Sequence, residues 1–502
     1  MVNEQKMEKL YQAFYTKSET IVNYMIERLC VKPELSVLEP AAGDGVFIKA
    51  LLNICSHLRI EAYELNPTAI QTLTSKFGNI PNVHITQNDT LTDPHLALYA
   101  DFGGRYDRII ANPPYGAWQD YNKRALLKKM YKGLYVKETY TLFLYRAIQL
   151  LNNKGILVFI IPDTYLNLHR HTQFRQFLLR NTKILEIALF PSSFFPGVNF
   201  GYSALSIISL EKCVDKEECL SNNFRVLTDF PSVRALDGAR AIYSFSQRQI
   251  FDNLDSALFI SNDSRFTSLI NTSTMRISDI ADCVTGIYSG NDKKFIYVLN
   301  SDVKKASQYQ LVKREQIATV ENTQLPPLEG MKGKAHFVPI VKGGRVKYIK
   351  PDFWFLDWSV EAVSHYKVDK RARFQNSRFY FQFGIGVPMV SSSQITAVLF
   401  ENKLFDQSIV GIFPKQQKYI YYLLGFFNSP TCNKLIRTIN PSANNPANYI
   451  KKIPFIMPTD NQLCTVNTTI KKIVADISHH GSCDESDEKS IHKIFEQIYG
   501  LT

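Results

Sequence analysis

The 502 residues carry 58 Lys and Arg against 46 Asp and Glu, a formal net charge of +12, and 45% of them are hydrophobic. That length asks for two or three domains, that composition excludes a disordered chain, and that charge points to a polyanion such as nucleic acid. The eight cysteines, at 30, 55, 213, 219, 283, 432, 464 and 483, form no Cys-x-x-Cys pair. This argues against a disulfide framework or a zinc site, so no metal is expected, and His479-His480 near Cys483 read as a solvated turn.

In chain order, Met1 to Lys6 show no apolar stretch of a secretory signal. The longest uninterrupted apolar run, Ile156 to Pro162, is far short of a membrane span. A cytoplasmic protein without membrane contact is expected. Residues 18–31 read as a helix, with Ile21, Val22, Met25, Ile26 and Leu29 on one face. Strand 36–38 leads into "LEPAAGDGVF" and a helix through Phe47 and Leu51. A strand at 59–63, a helix at 67–77 and strands at 83–86 and 106–111 follow. A helix covers about 138–152, and the strand 155–161 is apolar throughout, as a strand buried on both faces should be. Strands near 183–190 and 202–210 complete a doubly wound α/β sheet.

The alternation stops near 210. Residues 211–274 read as a polar connector with some helix at 247–254. From about 275, short β-like runs alternate with loops rich in Gly, Lys and aromatics. Residues 417–437 read as helical, 451–458 ("KKIPFIMP") as a closing strand, and the tail from about 461 as helical at its end.

Ligands of open α/β sheets bind at the carboxyl ends of the strands. In "LEPAAGDGVF", Gly43 and Gly45 permit a tight turn ahead of a helix, and Glu39 stands at the strand end. The spacing matches neither the dinucleotide fingerprint nor a phosphate-binding loop. Glu64 ends the next strand, where an acid takes two ribose hydroxyls, and Asp89 ends the one after, placed to accept from an adenine amino group. Three acidic strand ends suit a ligand with a ribose and an amine but no phosphates, which favours S-adenosylmethionine as cofactor.

The strand at 106–111 ends in Asn112-Pro113-Pro114-Tyr115. Prolines fix φ and hold the turn rigid. The Asn112 amide oxygen and the Pro113 carbonyl form two close acceptors, which suit an exocyclic –NH₂, and Tyr115 offers a ring on which a base can stack. Accepting both protons makes the amine more nucleophilic. Direct methyl transfer to a planar amine follows, with no covalent enzyme intermediate. A duplex hides that amine, so the base has to be flipped out.

These motifs together resemble the amino-group DNA methyltransferases of restriction–modification systems, in the gamma permutation, with an adenine-N6 target. The resemblance implies a Rossmann-like S-adenosylmethionine-dependent methyltransferase domain (a doubly wound mixed sheet) followed by a mixed α+β DNA target-recognition domain. "YTKSETIVNYM" (15–25) looks like the opening motif, with Thr16 its cofactor contact, although Lys17 stands where the family has proline. Glu39, Ala41, Gly43, Glu64, Asp89 and Pro114 fall at cofactor-binding positions, and Asn112, Pro113 and Tyr115 at catalytic ones. "SSFFPGVNF" (192–200) is similar to a later motif whose aromatic packs on the flipped base, here Phe195, with Phe194 as the alternative. The implied domains are 1–215 catalytic, 216–274 connector, 275–460 target recognition and 461–502 a helical tail. "TGIYSGNDKKFI" (285–296), "PIVKGGRVKYI" (339–349) and residues 423–455 resemble recurring pieces of the recognition domain.

Residues 301–380 hold 15 Lys and Arg against 8 Asp and Glu. Lys342, Arg345, Lys347, Arg371 and Arg373 are the candidates for DNA contact. The expected partner is double-stranded DNA, with a separate cognate restriction endonuclease as a further candidate, and the expected state is a monomer. Cytosine-N4 methylation needs the same amine chemistry and stays open. Methyltransferases of RNA or of a protein glutamine share the tetrapeptide but have no use for the basic half. A bifunctional endonuclease–methylase, suggested by Pro351-Asp352 and Glu401-Asn402-Lys403, and a non-catalytic DNA-binding protein are the remaining rivals.

Overall fold

The computed structural model describes residues 18–116, 121–194, 204–236, 238–261, 263–300, 306–344, 346–391, 394–440 and 444–502. It divides into two compact units, Met1–Ile260 and Ser261–Thr502.

In the first unit, helix α1 (Glu19–Leu29) starts at Ser18, whose side chain accepts the Ile21 N–H, and buries Ile21, Val22, Met25, Ile26 and Leu29. Then come β1 (Ser36–Glu39), α2 (Val46–Ile54), β2 (Arg59–Glu64), α3 (Pro67–Phe77), β3 (Val83–Gln87), α4 (Pro94–Asp101) and β4 (Tyr106–Ala111). After them follow α5 (Tyr121–Met130), α6 (Thr139–Leu150), β5 (Leu151–Pro162), α7 (Thr172–Asn181), β6 (Thr182–Pro191) and β7 (Ala204–Lys212). The unit ends with α8 (Lys216–Ser221), β8 (Asn223–Thr228), β9 (Ala241–Ser246) and α9 (Gln247–Asp252).

The strands form one nine-stranded sheet in the order β3-β2-β1-β4-β5-β7-β6-β8-β9. From β3 to β5 every pairing is parallel, and β7 runs antiparallel between β5 and β6. This is the expected α/β fold with a mixed sheet. Parallel strands with helical crossovers put β1 to β4 with their carboxyl ends along one edge. At that edge Gly45 opens α2 with φ +81°, and a Cβ there would lie 2.4 Å from a ring carbon of Phe77, so helix α3 packs directly on the turn.

The segment read as a connector, 216–274, is divided. β8 pairs with β6 and β9 with β8, so residues to 260 extend the large sheet, while the helix Ser264–Thr272 belongs to the second unit.

The second unit contains two five-stranded sheets. One has the order β10 (Ala281–Thr285), β19 (Ile409–Pro414), β16 (Gly384–Pro388), β17 (Val398–Phe400), β14 (Tyr348–Ile349). The other has the order β12 (Gln310–Leu311), β11 (Ile296–Val298), β15 (Trp354–Asp357), β13 (Phe337–Val341), β18 (Leu404–Phe405). Its aromatic core includes Trp358, Phe400, Phe405 and Phe413. The residues read as a closing strand make only an isolated bridge, Pro454 to Arg276, because Pro454 has no N–H to continue a ladder. The tail is two helices, Asp460–His480 and Glu485–Ile498, and it is built into this unit. Ile470 lies against Gly425, Tyr499 stacks on Phe426 at 5.3 Å, and the Tyr499 hydroxyl donates to the Pro454 carbonyl at 2.9 Å.

Candidate active site

Four residues singled out from the sequence stand at four neighbouring strand ends. Asp89 lies just beyond β3, Glu64 ends β2, Glu39 ends β1 and Asn112 follows β4, in the spatial order in which those strands pair. Register makes them neighbours, since Glu39 pairs with Ala62 and Leu38 with Ile109.

Glu39 is buried, 1% exposed, and its Oε2 has no hydrogen-bond partner among the described residues. Burial pushes its carboxyl well above the usual range, the charges of Asp44 and Glu64 push further, and a hydrogen bond from the Ile48 backbone opposes them. A carboxylate held so has strong demand for a cationic or hydrogen-donating ligand. Glu64 is engaged: Oε2 accepts the Gly43 N–H at 2.8 Å, and Oε1 accepts the N–H groups of Leu65 and Asn66, each at 2.8 Å. These bonds tie the Gly43 turn (φ +56°) to the end of β2, with Ala41 half-buried just before it. Asp89 Oδ1 accepts the Leu91 N–H at 3.1 Å, and Oδ2 pairs with Lys123 Nζ of α5 at 2.7 Å.

On β4's side, Pro113 is buried and Asn112 and Pro114 are half-buried. The Pro114 carbonyl accepts from Thr139 Oγ1 at 2.8 Å. Tyr115 is 2% exposed and sits edge-on to Tyr140, with ring centroids 6.5 Å apart. The ring expected to receive a base is thus packed in the core in this conformation. Behind it, Tyr140 shares a hydrogen bond with Thr164, and Glu138 bonds buried His171 at 2.8 Å. Burial alone would raise Glu138, but the hydrogen bond and charge of His171 and the charge of Arg170 hold its carboxyl low. Asp163, at the end of β5, is half-buried, and burial pushes its carboxyl up to about 7.

Thr16, Phe195 and Arg345 lie outside the described residues. Phe194 is half-buried and stacks on Phe190 at 6.0 Å. In the second unit, Lys342 is engaged internally, unlike the phosphate contact expected of it. Its side chain is 18% exposed and reaches Asp292 at 2.6 Å and Asp406 at 3.3 Å. Lys347 pairs with Glu488 at 3.1 Å. Arg371, paired with Asp369, is 73% exposed, and Arg373 is exposed as well. The parallel pairing of β14 with β17 does bring Asp352 to Lys403, but as an ion pair at 2.6 Å, with Glu401 bonded to Asn322. Among the described residues no group of three or more His, Cys, Asp or Glu could hold a metal ion.

Sequence reading missed Lys123, Glu138, Thr139, Asp163 and His171. Only Lys123 leaves a local trace, because Lys123, Leu127 and Tyr131 recur every four residues on one helix face.

Comparison with known proteins agrees with this geometry. Residues 46–195 match the Eco57I restriction-modification methylase family. The type II methyltransferase M.AccI of Acinetobacter calcoaceticus is 27% identical over 293 residues, 55% of this chain and 50% of that protein. The type II methyltransferase M.HindII of Haemophilus influenzae is 26% identical over 304 residues, 56% of this chain and 54% of its own length. The chain thus spans about half the length of these curated relatives. Among solved structures, the DrdV–DNA complex aligns with a TM-score of 0.53 at 13% identity, over 93% of this chain and 57% of that one. The ATP-dependent type ISP restriction-modification enzyme LlaBIII bound to DNA aligns at 0.52 and 12% identity, over 92% and 39%. Both likenesses are of fold. Residues 46–195, with three of the four strand-end residues among them, are the part of the chain that matches the Eco57I restriction-modification methylase family.

Proposed function

We propose that this protein is a site-specific DNA methyltransferase that carries a methyl group from S-adenosylmethionine to the exocyclic N6 of an adenine flipped out of duplex DNA. The observation that carries the reading is the row of strand ends Asp89, Glu64, Glu39 and Asn112, three acids followed by an amide. Glu39's buried, unpartnered Oε2 is the fit test: it needs a ligand bearing positive charge or N–H and O–H donors, and S-adenosylmethionine has both. Glu39, Ala41, Gly43 and Pro114 would line its place, with Glu64 on the ribose hydroxyls and Asp89 on the adenine amine. When bound, it supplies an electrophilic methyl on a sulfonium.

The chain's own contribution is positioning and hydrogen bonding. Asn112 Oδ1 and the Pro113 carbonyl accept the two amine protons of the target base and raise the nitrogen's nucleophilicity. Stacking on that base calls for Tyr115 to turn out of its packing against Tyr140. Phe195 supplies a second face, and Thr16 a further cofactor contact. In the second unit, Arg371 and Arg373 keep the exposure that phosphate contact needs, and Arg345 and Lys347 complete the proposed DNA-binding set. The methyltransferase names of the curated relatives support the reaction class.

The test is to incubate unmethylated duplex DNA with the protein and S-adenosylmethionine, then map modified bases by polymerase-kinetics sequencing. N6-methyladenine at one recurring sequence is expected, absent with Asn112→Ala. Cytosine-N4 methylation would keep the amine chemistry and replace the target base. Unmodified DNA would overturn the reading.

A further inference from the structure

Asp89 is the proposed acceptor for the cofactor's adenine amine, yet each of its carboxylate oxygens already has a partner in this structure. One oxygen is held by the Leu91 N–H at 3.1 Å, so the side chain is oriented without outside help. The other is paired with Lys123 Nζ at 2.7 Å, a charge-assisted bond stronger than a neutral amine can form. Lys123 does not sit there by chance of a loose surface chain. It is the first of three residues, Lys123, Leu127 and Tyr131, spaced by four along α5 and its end. Leu127 is fully buried, and the Tyr131 hydroxyl donates to the Leu91 carbonyl at 2.7 Å while accepting from Arg146 at 3.1 Å. The far end of α5 is therefore fastened by burial, by one hydrogen bond to the 89–91 turn and by one from Arg146 of α6. The near end is held to the same turn by an ion pair with an aqueous side, its lysine 32% exposed. That near end begins five residues after Gly116, directly downstream of the Asn-Pro-Pro-Tyr turn.

We propose that Lys123 competes with the cofactor's adenine amine for Asp89, so that cofactor loading releases the first turn of α5 while its far end stays fastened. Lys123 is on this account a positioning residue that makes the chain following the catalytic turn sense an occupied cofactor site. The inference rests on the proposed S-adenosylmethionine site. It adds a direction: the ion pair opposes cofactor binding, and salt, which screens the pair, favours it.

Isothermal titration of S-adenosylmethionine into the full chain tests this, with Lys123→Met, which keeps the stem without charge, and Lys123→Arg, which keeps the charge. At low salt Lys123→Met should bind about 3- to 10-fold tighter than wild type. The gap should close at high salt, and Lys123→Arg should behave as wild type. Hydrogen exchange on the wild type gives a readout independent of either variant's folding. Amides of 121–126 should exchange faster when the cofactor is added, and those of 127–131 should not change. Equal affinities for wild type and Lys123→Met at low salt, or slower exchange at 121–126 on loading, would overturn the competition while leaving the cofactor site standing. A wild type that takes up no S-adenosylmethionine would overturn both.

Discussion

Thr139 Oγ1 donates to the Pro114 carbonyl at 2.8 Å, which fastens the first residue of α6 to the middle of the Asn-Pro-Pro-Tyr turn. The turn has no slack around that bond. Gly116 adopts φ +99°, and a Cβ on it would lie 2.5 Å from the Thr139 nitrogen. Two consecutive prolines transmit the restraint, so fixing the Pro114 carbonyl also fixes the Pro113 carbonyl before it. Thr139→Val keeps the shape and deletes the donor. It should lower the rate of methyl transfer about 10- to 100-fold with little change in S-adenosylmethionine affinity, and Thr139→Ser should restore most of the rate. Single-turnover kinetics beside a cofactor titration separates the two effects.

On the proposed reading, Asn112→Ala removes one of the two acceptors for the target amine and no contact to a phosphate. Methyl transfer should fall on the order of 100- to 1,000-fold, while affinity for the cognate duplex stays within a few-fold of wild type. Parallel loss of both, measured by transfer assay and by fluorescence anisotropy, would make Asn112 a binding residue and not a catalytic one.

Glu39 sets stability against the proposed cofactor site. Its folded carboxyl is raised above its unfolded value by burial first and by Asp44 and Glu64 next. The folded state therefore binds that proton more tightly than the unfolded state does. The stability this confers is full below the unfolded value, near 4.5, and is lost as pH rises through the folded one. At neutral pH and above, Glu39→Gln should raise the melting temperature of the cofactor-free protein and abolish S-adenosylmethionine binding. Thermal melts across pH, read with and without cofactor, check both signs.

Two of the four strand ends are announced locally, where Val37-Leu38 stops at Glu39 and Ile109-Ile110-Ala111 stops at Asn112, and Glu64 and Asp89 were legible from their place at the ends of the next two strands. Strands β8 and β9 were not. "NFRVLT" and "AIYSFS" are short and interrupt their apolar residues with polar ones, so they lack the unbroken apolar signature of β5. The helical tail was legible, though its first helix, Asp460–His480, carries a weak apolar pattern. It buries only Val466, Ile470 and Ile473, a correct helical spacing diluted by Thr and Asn, which favour helices weakly. The ion pairs of Lys342 were not legible because the charges that engage it, Asp292 and Asp406, lie 50 and 64 residues away in the chain. Thr139 left no trace in the sequence and Lys123 only its helical spacing, because their contacts are with the distant Pro114 carbonyl and the 89–91 turn.

That distinction between engaged and exposed basic residues can be measured. Burial would lower the Lys342 ammonium, but Asp406 and Asp292 hold it charged, and removing it leaves two carboxylates facing each other. Lys342→Ala should cost about 2–4 kcal/mol of stability in urea unfolding and leave the salt dependence of DNA binding unchanged. Arg371→Ala, at an exposed position, should do the opposite. The urea midpoint should stay where it is, and the slope of log affinity against log salt should become shallower by about 1. A shallower slope for Lys342→Ala would mean that the lysine leaves its two partners when DNA binds.

Asp163 closes β5 beside the strand that carries Asn112, and burial pushes its carboxyl from 3.8 up to about 7, opposed only by a hydrogen bond with its own backbone. As with Glu39, a raised carboxyl means that the folded state holds the proton more tightly. Its contribution to stability is complete below about 3.8 and drains away as pH rises toward and through about 7. Because β5 pairs with β4, the same ionisation puts a negative charge at the end of the sheet where the Asn-Pro-Pro-Tyr turn follows β4. Asp163→Asn fixes the neutral form. Wild type should lose on the order of 2–4 kcal/mol between pH 4.5 and pH 8 relative to the variant, seen as a widening gap between their urea midpoints. Two midpoints that run parallel across that range would mean that Asp163 titrates as an ordinary surface carboxylate, and that its place at the end of β5 is open to water.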